Sequence, residues 1–456
     1  MKVAIIGGGW AGLAAAWSLH RQGHAVSVFE AARTLGGRAR RVSSRPLGQI
    51  IDNGQHILLG AYTDTLALMG ELGLNPCERF HRERLTLQSA DGAFLLRALP
   101  LPAPLHLLGG IATARGLGPL ERLRLVTLTA TLRARGWKTA AGLSVAQWLE
   151  QGRQSPHALR SFWQPLCLAA LNTPVDSACA QLFAHVLRDS LGGAGRATDV
   201  LIPRVDLSQL WPDEAARQLN GGNTDGAGVY LGRPVRQLAC SAAGVTVDGA
   251  QFDAAVVAGN APSARKLLEQ LGPQAGSDAY LAMLSAFTYL PIATLTLQLE
   301  RPWGLPQPML LLRDDPARLQ FGQWLFDRSA FAASRSVSSS HTAKQADAPR
   351  LLHIVISAAS AMQQHPPAQI ADAVIRQVQA QTRRFGPMPR VTGHDLIVEK
   401  RATFAATPGL ARPPVATPWP RIWAAGDWTD TGYPGVLEGA VRSGRAAARS
   451  LLQSLA

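Results

Sequence analysis

The chain opens with Val3-Ala4-Ile5-Ile6, an apolar run that passes directly into Gly7-Gly8-Gly9-Trp10-Ala11-Gly12 and then into an alanine-rich stretch. A buried parallel strand, a glycine turn and a helix in that order restrict the fold more than anything else in the sequence. Gly7 permits the tight turn, Gly9 lets backbone approach a pyrophosphate, and Gly12 lets the helix pack on the strand. The amides at the helix start, around Trp10 and Ala11, then face the phosphates. A second strand, residues 25–29, ends at Glu30, about eighteen residues past Gly12, where a carboxylate can accept from both ribose hydroxyls. That acid fits an unphosphorylated adenosine ribose. Lys2 and the apolar run to Leu19 have the outline of a short signal peptide, but such a segment has no use for glycines at this spacing or for Glu30.

A length of 456 residues suggests two domains, and 17% charged residues is ordinary for a globular chain. Cys77, Cys167, Cys179 and Cys240 are scattered, with no C-x-x-C or metal-ligand spacing, so reduced thiols in the cytoplasm are expected, with no disulfide and no metal. The net charge of +14 admits nucleic acid, an anionic membrane surface or mere composition. Basic clusters with interleaved aromatics are missing, so nucleic acid is not expected. No run of eighteen apolar residues predicts a membrane span. Residues 99–111 are apolar, and Arg115, Arg122, Arg124, Arg133, Arg135, Trp137 and Lys138 follow. An apolar tip with a cationic flank suits the inner face of the cytoplasmic membrane; the same residues could instead cover the mouth of an apolar cavity. Both readings imply a lipophilic substrate.

The pattern predicts an α/β protein: a Rossmann-like nucleotide-binding domain from residues 1–75, 226–275 and 416–456, with an inserted mixed α+β domain from 76–225 (helical) and 276–415 (sheet). Phe162–Thr173 is apolar nearly all round and reads as a buried helix. Alternation at 293–299 and 351–356 predicts strands of a mixed sheet. Residues 329–349 have little to bury and read as a mobile loop. Near the end, residues 421–425 should be a strand, Gly426-Asp427 a turn, and Tyr433 to Gly444 a turn leading into a helix whose first amides, around Gly435 and Val436, are free.

The run Glu30 to Arg38, taken with Gly426-Asp427, resembles the flavin amine oxidase and carotenoid desaturase superfamily, which implies FAD rather than NAD. The resemblance implies that Gly36, Gly37 and Arg38 lie along the phosphates and that Val235 meets adenine through its backbone. Asp427 would accept a ribityl hydroxyl, and the Gly435 and Val436 amides would face the flavin pyrimidine carbonyl. Residues 51–62, 166–173 and 433–440 resemble more narrowly the hydroxysqualene dehydroxylases of bacterial hopanoid biosynthesis, also called squalene-associated FAD-dependent desaturases. That likeness runs essentially the whole chain; Gly435 departs from the alanine or threonine expected there. It implies reductive removal of an allylic hydroxyl from a long-chain isoprenoid, giving squalene, with electrons from a donor the sequence does not name. Gly54, Gln55 and His56 should lie near the flavin. His56 is the first candidate proton donor, or else a structural flavin contact, with Asp52 and Tyr433 behind it. Two alternatives stand. One is an oxidative relative, a carotenoid desaturase or an amine oxidase with Trp428 and Tyr433 as an aromatic pair, against which the aliphatic substrate region weighs. The other is a non-catalytic flavoprotein serving an isoprenoid synthase.

Overall fold

The computed structural model describes residues 1–193, 196–221, 227–327 and 350–455. The loop expected at 329–349 lies outside the described residues. Lys2–Ile6 is the middle strand of a five-stranded parallel sheet, ordered Gly228–Leu231, Ala25–Glu30, Lys2–Ile6, Ala254–Val257, Ile422–Ala424. A strand with neighbours and helices on every side has no polar face to present, which is why Val3 to Ile6 reads as one apolar run. The next helix, Trp10–His20, is buried almost all round. It needs cover on both sides, and the C-terminal helix Leu437–Leu455 supplies the second. The two backbones meet at Gly444, where a Cβ would overlap the carbonyl oxygen of Ala11. Before Ala254–Val257 the chain makes a small antiparallel meander of Leu238–Cys240, Val245–Val247 and Ala250–Phe252.

The second large sheet has the order Met309–Leu311, Trp324–Asp327, Leu351–Ile356, Tyr289–Leu299, Val391–Phe404, and every pairing is antiparallel. The mixed sheet expected from sequence is corrected here. Helix Pro367–Gln381 does make a crossover from Leu351–Ile356 to Val391–Phe404, but the crossover skips over Tyr289–Leu299. The two strands it joins run parallel without touching, and each pairs with the antiparallel strand between them. The helix packs Ile370, Ala371, Val374 and Val378 into the sheet's core.

Residues 76–221 are not purely helical. Phe80–Glu83 pairs with Val200–Pro203, which also takes Leu58–Leu59, and Thr86–Gln88 pairs with Leu95–Arg97. Strands of two to four residues are too short for a period of two to register in sequence. The stretch expected as one buried helix divides into a π-helical turn, Leu159–Trp163, and a helix, Gln164–Leu171. Phe162, Trp163, Trp148 and Phe183 stack edge to face inside it. The helix stops at Asn172, which takes the left-handed conformation at φ 49°. Its buried amide donates to Leu290 O (3.3 Å) and Thr403 Oγ1 (3.0 Å) and accepts from the Ala358 N–H (2.7 Å), tying the helical part to the sheet. Among the described residues no helix is long and apolar enough to cross a membrane.

Candidate cofactor and active site

The first strand and its turn place two glycine loops face to face. Gly7 sits at φ 118° and donates to Phe29 O at 2.8 Å, while Gly36 and Gly37 are at φ 100° and 62°. The Gly36 N–H donates to Gly8 O at 2.9 Å. A Cβ on Gly9 would lie 3.8 Å from Gly37 Cα, and one on Gly37 only 3.2 Å from Gly9 Cα. Side chains on both would fill the slot between the loops, which is a cradle fit for a pyrophosphate. A Cβ on Gly12 would overlap Gly7 O, so this glycine is set by packing alone. Trp10 and Ala11 begin the helix, with the Trp10 ring buried and its N–H donating to Ala39 O at 3.3 Å. Glu30 accepts from the Gly8 N–H (2.6 Å) and the Ala32 N–H (2.7 Å), one bond to each oxygen. A carboxylate has about four acceptor positions, so two remain for ribose hydroxyls. Val235 is half-buried against the core that includes the meander.

Farther along, the guanidinium of Arg38 pairs with Asp427 (2.6 Å) and donates to Ala402 O (2.6 Å). Burial works against its charge, but the Asp427 carboxylate more than offsets this and holds the guanidinium above its ordinary value. The two residues expected to touch the phosphates and the ribityl chain thus also touch each other. Gly435 leaves room beside them: a Cβ there would come within 3.3 Å of Asp427 Oδ2 and 3.1 Å of Thr403 Cβ. Asn53 braces the loop by donating to Arg38 O (3.0 Å) and Glu399 (3.1 Å). Behind Gly426, the Ser443 hydroxyl accepts from its N–H at 2.8 Å. Val436 lies half-buried just before the C-terminal helix. The buried Glu438 accepts from the Asp64 and Thr65 amides, the Thr65 hydroxyl and Arg442, fixing the start of that helix against helix Thr63–Glu71.

Sequence reasoning missed Arg412. Its guanidinium donates to the carbonyls of Asp427, Trp428, Thr429 and Tyr433 and to the Thr431 hydroxyl, and lies over the Phe404 ring. Burial lowers it to about 10, so it still carries its charge at neutral pH. One side chain therefore shapes the whole 427–433 loop, and no motif around Ala411-Arg412-Pro413 announces it.

At the far end of the cradle Gly54 is at φ 111°, and a Cβ there would stand 3.7 Å from both His56 Nε2 and Thr294 Oγ1. Gln55 Oε1 and Thr294 Oγ1 are buried and have no hydrogen-bond partner among the described residues. Orphaned buried acceptors cost about 1–3 kcal/mol each, and their clustering beside Gly54 suits a polar heterocycle that donates to them. The residues present therefore fit a dinucleotide from adenosine to flavin ring. Thr294, on the middle strand of the antiparallel sheet, carried no sequence signal, since it alternates like any strand residue.

The three proton-donor candidates fare differently. Burial, and then the charge of Arg38, push His56 down to about 4, so near neutral pH the ring has no spare proton and offers only an N–H. A neutral ring cannot act as an imidazolium acid, the role first expected of it; an N–H contact with the flavin end is the other role the sequence offered. Asp52 is buried with its carboxylate accepting from the Leu207 N–H (2.8 Å) at the start of helix Leu207–Leu210, so it serves the fold. The buried Tyr433 hydroxyl donates to Asp189, and its ring lies under the Arg442 guanidinium at 4.3 Å. The aromatic pair imagined for an amine oxidase does not form: Trp428 is buried with its N–H donating to Gly259 O at 2.9 Å.

Two hollows meet at Gly192 in the inserted domain. One is an apolar cavity of about 130 Å³ whose walls include Leu85, Leu87, Leu107, Ile111, Phe162 and Leu166. The other is an open cleft of about 550 Å³ lined by Arg82, Arg188, Arg196, Arg442 and Asp189. Every cleft arginine is matched: Arg82 and Arg196 share Asp199, Arg188 holds Asp189, and Arg442 holds Asp64 and Glu438.

A parallel nucleotide sheet, an opposed glycine cradle and an inserted antiparallel sheet define an FAD-dependent oxidoreductase. The family model for flavin containing amine oxidoreductases matches residues 10–452, and the chain belongs to that family. Within it, the chain is 30% identical to a hydroxysqualene dehydroxylase from Rhodopseudomonas palustris, across 99% of this chain and 98% of that one. It is 25% identical to a zeta-carotene desaturase from Synechocystis, across 100% and 98%. Among solved structures, cyclohexylamine oxidase from Brevibacterium oxydans superposes with a TM-score of 0.70 at 19% identity, covering 100% of this chain and 99% of the other, and shares the fold.

Proposed function

We propose that the enzyme reductively removes the allylic hydroxyl of hydroxysqualene to give squalene, supplying hopanoid biosynthesis at the inner face of the cytoplasmic membrane. The observation that carries this reading is the aliphatic cavity of the inserted domain, in a chain similar end to end to a hydroxysqualene dehydroxylase. Bound FAD, reduced by a separate electron donor, supplies the hydride.

The chain's own residues do the rest. Gly9, Gly36, Gly37 and Arg38 hold the pyrophosphate, Glu30 the ribose and Asp427 the ribityl chain. The aliphatic wall excludes water while positive charge spreads over the allyl system, so water cannot recapture it. Among the three candidates we assign the proton to Tyr433, whose hydroxyl donates to Asp189 at the cleft edge and is positioned by it. His56, neutral, gives an N–H to the flavin end and keeps positive charge out of the site. Amine oxidation is disfavoured by the cavity lining, which is aliphatic and carries Arg133 but no carboxylate to receive an ammonium group.

The test is anaerobic. With the bound flavin reduced, adding hydroxysqualene should reoxidise it with stoichiometric formation of extractable squalene. A flavin that stays reduced, yet when oxidised accepts electrons from a polyene or an amine, would overturn the reading. A flavin that reacts with none of them would point to the non-catalytic alternative.

A further inference from the structure

Single exposed leucines are normal on a protein surface; clusters are not. Of the seven large apolar side chains most exposed among the described residues, four fall within 101–123: Leu101 (47%), Leu105 (54%), Leu120 (57%) and Leu123 (61%). They sit on or just before two helices in contact, Leu105–Ala112 and Pro119–Ala134, joined where Arg122 donates to Ala112 O at 2.8 Å. Leu101 stays with its helix because the His106 N–H donates to Pro102 O and the Leu99 N–H to His106 O.

The charge around them is one-sided. Residues 95–140 hold seven Arg and Lys and a single acid, Glu121. None of the seven cations forms an ion pair among the described residues, whereas every arginine of the neighbouring cleft does. Glu121 is bound inward, accepting from Ser155, the Gly118 N–H and His157, and cannot neutralise them. The Arg122 guanidinium is spent on the Leu117 and Ala112 carbonyls, which leaves its charge uncompensated.

The third observation is what lies beneath. Pro104, Leu107, Leu108 and Ile111 line the apolar cavity, so helix Leu105–Ala112 is apolar towards the cavity and, through Leu105, apolar towards solvent. A helix in water has no use for two apolar faces. The cavity, at about 130 Å³, is well below the roughly 300–1,000 Å³ of an ordinary small-molecule site, so a long hydrocarbon enters only if a wall moves.

We propose that Leu101, Leu105, Leu120 and Leu123, ringed by Arg115, Arg122 and Arg124, form a docking surface for a bilayer rich in anionic lipid, with helix Leu105–Ala112 as the partition between acyl chains and cavity. The identity of the lipid that crosses rests on the dehydroxylase reading; docking does not. The unneutralised cations choose this occupant over an apolar protein partner, because they match phosphate headgroups while the leucines reach the acyl boundary.

The experiment uses the full-length, FAD-loaded enzyme and vesicles of phosphatidylcholine alone or mixed equally with phosphatidylglycerol. Co-sedimentation should be about tenfold stronger or more on the mixed vesicles at low salt and should weaken as salt rises. The double variant L105D/L123D, which spares the cavity wall, should lose about tenfold in binding while keeping its flavin spectrum. If it loses flavin, L120D on the first turn of an exposed helix takes its place. Turnover of hydroxysqualene embedded in mixed vesicles should fall in the variant, while turnover of detergent-dispersed hydroxysqualene should not. Equal sedimentation of wild type and variants would overturn the proposal, as would a concentration-dependent dimer, abolished by the same substitutions, with no vesicle binding. Normal docking with no dehydroxylation from either preparation would leave the surface standing and defeat the dehydroxylase reading instead.

Discussion

The pyrophosphate end of the site is made by removing side chains and the reacting end by tying them down. Around Gly7, Gly9, Gly12, Gly36 and Gly37 the backbone itself does the work, and any Cβ meets another backbone atom. Around Gly54, His56 and Tyr433 the backbone leaves space, and the chemistry depends on which atom each side chain binds. At Gly7, Gly12 and Gly36 the first plan tolerates no side chain; the second tolerates shape change but not a change of partner.

The largest effect should come from G12A. Its Cβ would overlap a carbonyl oxygen on the adjoining turn, where nothing flexible can yield, so we expect a loss of about 3 kcal/mol or more in unfolding free energy and no retained flavin. Near-normal flavin content would break the contrast at once. D427N comes next, leaving Arg38 unmatched: a flavin titration should show FAD binding weakened by about tenfold or more, with stability lower by about 1–3 kcal/mol. Y433F tests the other plan. Turnover should fall by about a hundredfold while flavin affinity stays within about twofold, and unchanged turnover would remove that hydroxyl from the chemistry.

The smallest effect concerns His56. The unfolded imidazole takes up a proton near 6.5 and the folded one only near 4, so between those values the unfolded chain binds more protons. The contribution from neutral His56 is complete above about 6.5 and is lost as pH falls toward 4. Thermal midpoints measured across that window should fall less steeply in H56Q than in wild type, and parallel curves would show that the ring is not desolvated as described.

The same contrast explains what could be read from sequence. The Gly7–Gly12 turn, Glu30 and the Gly36-Gly37-Arg38 run constrain backbone, and backbone constraints leave glycines at fixed spacing. Strands 2–6, 25–30 and 422–424 were visible because burial makes their central residues almost wholly apolar. Arg412 and Asp189 act through partners 15 or more residues away in sequence, and nothing local marks such a residue. The hydrogen bond that Asp52 accepts and the neutral state of His56 were invisible for one reason: each depends on burial and on a neighbour, and both are tertiary. The antiparallel sheet was misjudged because alternation at 293–299 and 351–356 marks strands but not their order, and Tyr289–Leu299 lies between Leu351–Ile356 and Val391–Phe404.

The edge strand Ile422–Ala424 and the helix Leu437–Leu455 complete a site begun by the first dozen residues. Until a ribosome has released nearly the whole chain, helix Trp10–His20 has an apolar side with no cover and Gly426 cannot reach the cradle. Pairings across more than 400 residues of chain impose a high contact order and a slow last step. The nascent protein therefore spends most of its synthesis with a sticky, flavin-incompetent amino terminus, and truncations near Leu437 should be recovered as chaperone-bound or aggregated material rather than as a weakened enzyme.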